Sequence, residues 1–135
     1  MGDEKKTNGK PWLFLGGLNG ALAVGLGAYG WHDLAGDEAM RSIFMLAVNY
    51  HMWHALALVG VAVLAERAPA SRLLTLAGSL FTLGIVLFSG SLYLFSTLGA
   101  MPVNGAAPVG GAVWISAWAI LSWFGYKRMR TRPQP

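Results

Sequence analysis

The sequence predicts an all-α fold: an integral membrane bundle of four transmembrane helices with both termini in the cytoplasm. Three observations carry this. The 135 residues are 55% hydrophobic and 12% charged, where soluble domains carry about 25% charged residues. Four stretches, 11–29, 43–65, 73–95 and 108–126, contain no Asp, Glu, Lys or Arg, and each matches the roughly 20 apolar residues that cross a bilayer core. The basic residues are also one-sided. Lys5, Lys6, Lys10, Arg67, Arg72, Lys127, Arg128, Arg130 and Arg132 fall in the tails and the second connection, and only Arg41 lies opposite. Such an excess retains loops in the cytoplasm. Trp12, Trp123 and Tyr126 at the inner interface, with Trp31 and Trp114 at the outer, agree with that orientation.

In chain order, residues 1–10 read as a disordered polar tail closed by Gly9 and Pro11. Pro11 to Tyr29 is the first span. A basic segment ahead of an apolar run also resembles a secretory signal, but the run is long for that and further spans follow. Gly16 and Gly20, then Ala21 and Gly25, repeat small residues at a spacing that admits a close neighbouring helix, in the same bundle or in an oligomer. Gly30 to Arg41 forms the first connection, in which Asp37 ahead of Glu38 suits a helix cap. His32, Asp33, Asp37 and Glu38 have metal-ligand chemistry, yet polar residues gathered in a connection are usually there for solvation, and no metal is expected.

The second span, Ile43 to Ala65, ends at Glu66-Arg67 and turns through residues 68–72 into the third, Leu73 to Phe95. Ser96 to Ala107 carries Gly99, Pro102 and Gly105 without a charge and reads as a loop against the headgroups. Pro108 suits the first helical position of the fourth span, which ends at Tyr126 before a basic cytoplasmic tail, 127–135. Residues 11–126 therefore make one transmembrane domain.

Within these spans one patch stands out, Asn49-Tyr50-His51-Met52-Trp53-His54. At ~1.5 Å rise per residue, with the span centred near Trp53, His54 lies within ~2 Å of the midplane and Asn49 ~7 Å outward. Ser89, Ser91 and Tyr93 of the third span, Asn19 of the first and Ser116 of the fourth come to about the same depth, so all four helices can feed one buried polar network. His51 and His54, three residues apart, share a helix face, and that face should point inward because hydrocarbon offers polar groups no partner. With no carboxylate in any span to answer a charge, both rings are expected to be neutral.

These residues set the chemistry that can be considered. The absence of cysteine removes disulfides and thiolate sites, and charge loaded into the tails does not make a nucleic-acid face. One haem iron needs axial ligands from opposite sides, which His51 and His54 on one face cannot both supply. Zinc would want three or four ligands. Proton-coupled transport through a His relay would work without the usual intramembrane Asp or Glu. A quinone or lipid site needs an apolar cleft with one or two convergent polar groups, and His51, His54, Ser89, Ser91 and Tyr93 are the candidate cofactor-binding residues. The simpler alternative is that the same groups hydrogen-bond helix to helix.

Three motifs in order, Tyr50-His51-Met52-Trp53-His54-Ala55-Leu56-Ala57-Leu58, Phe88-Ser89-Gly90-Ser91-Leu92-Tyr93 and Pro108-Val109-Gly110-Gly111 followed by Trp118, resemble the domain of unknown function 423 family, whose eukaryotic members are called transmembrane protein 256. The resemblance runs from about residue 12 to 126 and includes the small-residue run from Gly16-Gly17 to Gly30; the short acidic first connection departs from it. It implies a small multi-pass inner-membrane protein and no established activity. His51, His54, Ser89, Gly90, Ser91 and Tyr93 match its motif positions. The sequence thus reads first as a non-enzymatic membrane protein, an oligomer or accessory subunit of a larger membrane complex, without a resident cofactor. Second comes a binding protein for quinone, lipid or haem on the His51/His54 face, and third a proton or small-solute transporter. The partners expected are the lipid bilayer and other membrane subunits or a second copy.

Overall fold

The computed structural model describes residues 9–101 and 103–130. Residues 1–8 and 131–135 of the two expected tails, and Pro102, lie outside the described residues. Among the described residues all regular structure is helical: α1 (Lys10–Asp33), α2 (Glu38–Arg67), α3 (Arg72–Gly84), a π-helical turn (Ile85–Ser89), α4 (Gly90–Leu98) and α5 (Ala106–Arg130). The segment from α3 to α4 is one continuous helix, so four helices are long and apolar enough to cross a membrane.

Each helix overruns its apolar stretch. Hydropathy marks only the hydrocarbon layer, whereas helical hydrogen bonding continues into the headgroup region, where Lys10, His32, Lys127 and Arg130 are solvated. His32 and Asp33 therefore belong to the last turn of α1, and Lys127, Arg128 and Arg130 to the last turn of α5. The first connection shrinks to residues 34–37. Pro108 is the third residue of α5 rather than its first, which is harmless because the first four N–H groups of a helix have no internal partner.

The ends carry identifiable stops. Asp37 accepts a bond from the Met40 N–H at 3.0 Å to start α2, and Ser71 does the same for α3 through Leu74. Gly99, at φ 69°, takes the left-handed conformation that ends α4 and that side chains disfavour.

The core lies among α2, α3 and α5, where Leu58, Val61, Phe81, Trp114 and Ala117 are buried. α1 lies along α2, and α5 along α3 and the π-helical turn. The small residues of α1 divide between two faces. Gly16 is buried, and a Cβ there would come within 3.0 Å of the Ala55 carbonyl oxygen, whereas Gly17, Gly20 and Gly25 have nothing within 4 Å. α2 and α5 are bridged by large rings rather than by close backbones, and that spacing makes the site.

Candidate functional site

Three residues along a helix amount to 300° of rotation, so His51 and His54 point about 60° apart. The bundle uses that offset to give them different neighbours. Both rings are buried, 4% and 5% exposed, yet no contact joins them to one network.

His51 ties three helices together. Its Nε2 lies 2.9 Å from Asn19 Oδ1 on α1, and its Nδ1 3.1 Å from the Tyr93 hydroxyl on α4. The Asn19 amide nitrogen donates to the Leu15 carbonyl at 2.8 Å, which fixes the amide orientation and leaves Oδ1 as an acceptor. Nε2 must then carry the ring proton, and Nδ1 must accept from Tyr93. The resulting run of bonds, from Tyr93 through His51 and Asn19, ends on a backbone carbonyl.

His54 carries its proton on the other nitrogen. Nδ1 donates to the Tyr50 carbonyl at 2.7 Å, so Nε2 accepts, and the Trp118 indole N–H of α5 donates to it at 3.3 Å. The ring lies flat on Trp114, centroids 3.7 Å apart and planes 2° from parallel. With both nitrogens engaged, either histidine would have to give up a bond to ligate iron. Among the described residues, no three His, Cys, Asp or Glu side chains group as a metal site.

The expected single network does not form. Of the candidates, Tyr93 joins His51, while Ser89 donates to the Ala47 carbonyl of α2 at 3.0 Å and Ser91 to the Leu87 and Phe88 carbonyls of its own helix. Ser116 is exposed and bonds the Ala112 carbonyl; Asn49 is exposed. Hydroxyls on helices readily take a carbonyl one turn back, and matching depth cannot tell that local bond from a bond across helices.

Beside His54 is a cleft of about 420 Å³ whose lining includes Tyr50, Trp53, Trp114, Ile115 and Trp118. Trp114 and His54 form its buried back wall, while Trp53, Trp118 and Ile115, 56%, 46% and 73% exposed, form its rim. Tyr50 lies nearly parallel to Trp114 at 5.8 Å. Two glycines make room for this arrangement. A Cβ on Gly84 would collide with the Trp114 indole, and one on Gly110 would meet the Phe88 backbone nitrogen at 2.5 Å. Trp114 is anchored by its N–H to the Phe81 carbonyl at 3.1 Å. Midway between Arg41 and Arg67, His54 stands ~20 Å from each along α2, so the cleft opens sideways near mid-bilayer depth. The sequence signalled His54 but not the ring wall: it placed Trp114 in the outer interfacial belt, whereas the structure stacks that ring on His54 near mid-depth, and Trp118, one turn on, meets the same histidine.

Comparison with known proteins places the chain. Residues 26–111 match the family model described as protein of unknown function DUF423. Among the relatives, the UPF0382 membrane protein YwdK of Bacillus subtilis is 41% identical over 114 residues, 83% of this chain and 93% of the relative. The UPF0382 membrane protein SH2409 of Staphylococcus haemolyticus is 36% identical over 83% of this chain and 92% of its own. A UPF0382 membrane protein of Haemophilus influenzae is 30% identical over 86% and 94%. No solved structure matches.

Proposed function

This chain belongs to the DUF423 family of membrane proteins, and on that premise we propose that it is a non-enzymatic binding protein for a flat, membrane-soluble ligand of the quinone class, held in the cleft beside His54. The observation that carries this reading is the cleft itself. It is ring-walled and laterally open, its size falls within the roughly 300–1,000 Å³ typical of ligand sites, and a bonded polar pair, His54 at the back and Trp118 at the rim, lines it. Parallel rings such as Tyr50 and Trp114 favour offset stacking of a planar guest. The Trp118 bond to His54, at 3.3 Å, is longer than the usual N–H bond of about 2.9–3.0 Å. A ring carbonyl can take the indole N–H instead, and a ring hydroxyl can donate to the freed His54 Nε2. An isoprenoid tail leaves through the rim into lipid.

His51, by contrast, serves in this reading as a clasp among α1, α2 and α4; a run of bonds ending on the Leu15 carbonyl supports a structural role rather than a proton path. The one-sided basic residues support cytoplasmic termini and a multi-pass protein of the inner membrane. A second reading, a subunit of a larger membrane complex, draws support from α1, which packs along α2 and leaves Phe14 69% and Val24 65% exposed.

Three of the six tryptophans line the cleft, so titration of detergent-purified protein with a short-chain quinone, followed by indole fluorescence, tests the proposal. Saturable quenching is expected, with affinity reduced about tenfold in Trp118→Phe and His54→Leu through loss of one buried polar contact each. Quenching that is linear in quinone, or equal in all three proteins, refutes it.

A further inference from the structure

Several polar side chains of the spans find a partner within the bundle. Asn19 uses both ends of its amide, and Thr82, Ser89, Ser91 and Ser96 each donate to a carbonyl. Of the two asparagines within the spans, Asn49 is the one left without such a partner. It is exposed on α2 and its side chain has no hydrogen-bond partner among the described residues. Five residues from His54, it lies ~7 Å along the helix from the midpoint between Arg41 and Arg67, within a hydrocarbon core ~30 Å thick. Lipid tails offer an amide nothing, and an unsatisfied polar group at that depth costs several kcal/mol.

Asn49 sits in a patterned surface. Ser42, Leu46, Asn49, Trp53, Leu56, Gly60 and Val63 are all exposed along one stripe of α2, in the alternating four- and three-residue steps that form the seam of a left-handed helix pair, with Trp53 shared between this stripe and the rim of the cleft. A shallow recess of about 360 Å³ lies against the outer part of this stripe, lined by Ser42, Ile43, Met45, Leu46 and Asn49. Gly60, three turns from Asn49 on the same side, has nothing within 4 Å of a Cβ built on it, so it leaves room for a second backbone.

The amide selects the occupant. A carboxamide holds two donors and one acceptor, so it complements another carboxamide. Copies inserted with the same topology can be related by a two-fold axis only along the membrane normal, and a residue beside that axis meets its own counterpart at equal depth. We propose that a second copy of this chain docks on the outward face of α2, the two Asn49 amides bonding each other across the axis. A polar side chain at such a seam also fixes register, which keeps each copy at the same depth.

The chain contains no cysteine, so single substitutions report on the interface cleanly. Leu46→Cys and Leu56→Cys keep Asn49 and should form disulfide-linked dimers on mild oxidation in native membranes. Leu83→Cys, on the exposed side of α3, should not. In liposomes, energy transfer between labelled copies should give a dimer that Asn49→Leu weakens about tenfold and Asn49→Gln largely preserves. Asn49 is exposed, so neither change disturbs the core. A parent protein that stays monomeric at every protein-to-lipid ratio overturns the proposal. So does a dimer indifferent to Asn49→Leu, cross-linking at Leu83→Cys but not Leu46→Cys, or capture of a different protein at Leu46→Cys.

Discussion

Replacing His51 by Leu should cost about 1–3 kcal/mol of stability, since it removes two side-chain bonds between helices, each worth ~0.6 kcal/mol on average and at most ~1.7 within membranes. The two bonds are those to Asn19 and Tyr93. Leucine approximately fills the imidazole volume, so the loss is of bonds rather than packing. Tyr93→Phe removes only the hydroxyl and should cost one bond, about 0.6–1.7 kcal/mol. Equilibrium unfolding in mixed micelles, followed by helical circular dichroism, measures each variant. The discriminating quantity is the double-mutant cycle. Once His51 is Leu, the Tyr93 hydroxyl has already lost its acceptor, so the double variant should be no less stable than His51→Leu alone. Strict additivity of the two costs, or a Tyr93→Phe protein as stable as the parent, would refute the three-helix clasp.

Three further outcomes follow from the geometry. Nitrogen-15 spectra at neutral pH should show both buried rings neutral in opposite tautomers, His51 protonated at Nε2 and His54 at Nδ1; two identical tautomers would contradict the assigned bonds. Gly84→Ala should displace Trp114, destabilise the protein by roughly 1–3 kcal/mol as overpacking does, and alter indole fluorescence, whereas Gly17→Ala, with open space around it, should be neutral or stabilising by up to about 1 kcal/mol. Asp37→Ala should lose the cap on α2 at about 1 kcal/mol, read by the same unfolding assay, while the exposed Glu38–Arg41 pair contributes at most about 1 kcal/mol.

The membrane class and the number of spans were legible because both follow from a one-dimensional pattern, the length of uncharged runs. The Asp37 cap was legible for a similar reason, since a cap is decided within four residues. Depth along a helix could be read in part: it brought Asn19, His51 and Tyr93 to one level, but it left Trp114 at the outer interface, whereas that ring lies on His54. Azimuth could not be read with the same accuracy. An offset of about 60° between positions three residues apart is small enough to count as one face in sequence, yet it sends His51 to Tyr93 and His54 to Trp118. The third helix adds a further turn of phase. The wide turn at Ile85–Ser89 inserts an extra residue into the helical count, so Ser89, Ser91 and Tyr93 cannot be placed by a uniform 100° rotation from Phe81.

That wide turn connects the clasp to the cleft. The Phe81 carbonyl, just before it, accepts both the Ile85 N–H of its own helix and the Trp114 indole, and a carbonyl so shared is bound less tightly into the regular ladder. At the other end Gly90 donates five residues back to Ile85, and Ser89 reaches across to Ala47 of α2. The turn is therefore held open from both neighbouring helices, by Trp114 on the cleft side and by Ala47 on the clasp side. Its phase shift carries Tyr93 toward His51, while Gly84, immediately before it, admits the ring on which His54 stacks. A strictly α-helical third span would turn Tyr93 about 100° from its present direction relative to Phe81, so one of the two histidines would lose its neighbours. The separation of a structural histidine from a cleft histidine thus depends on one irregular turn of helix.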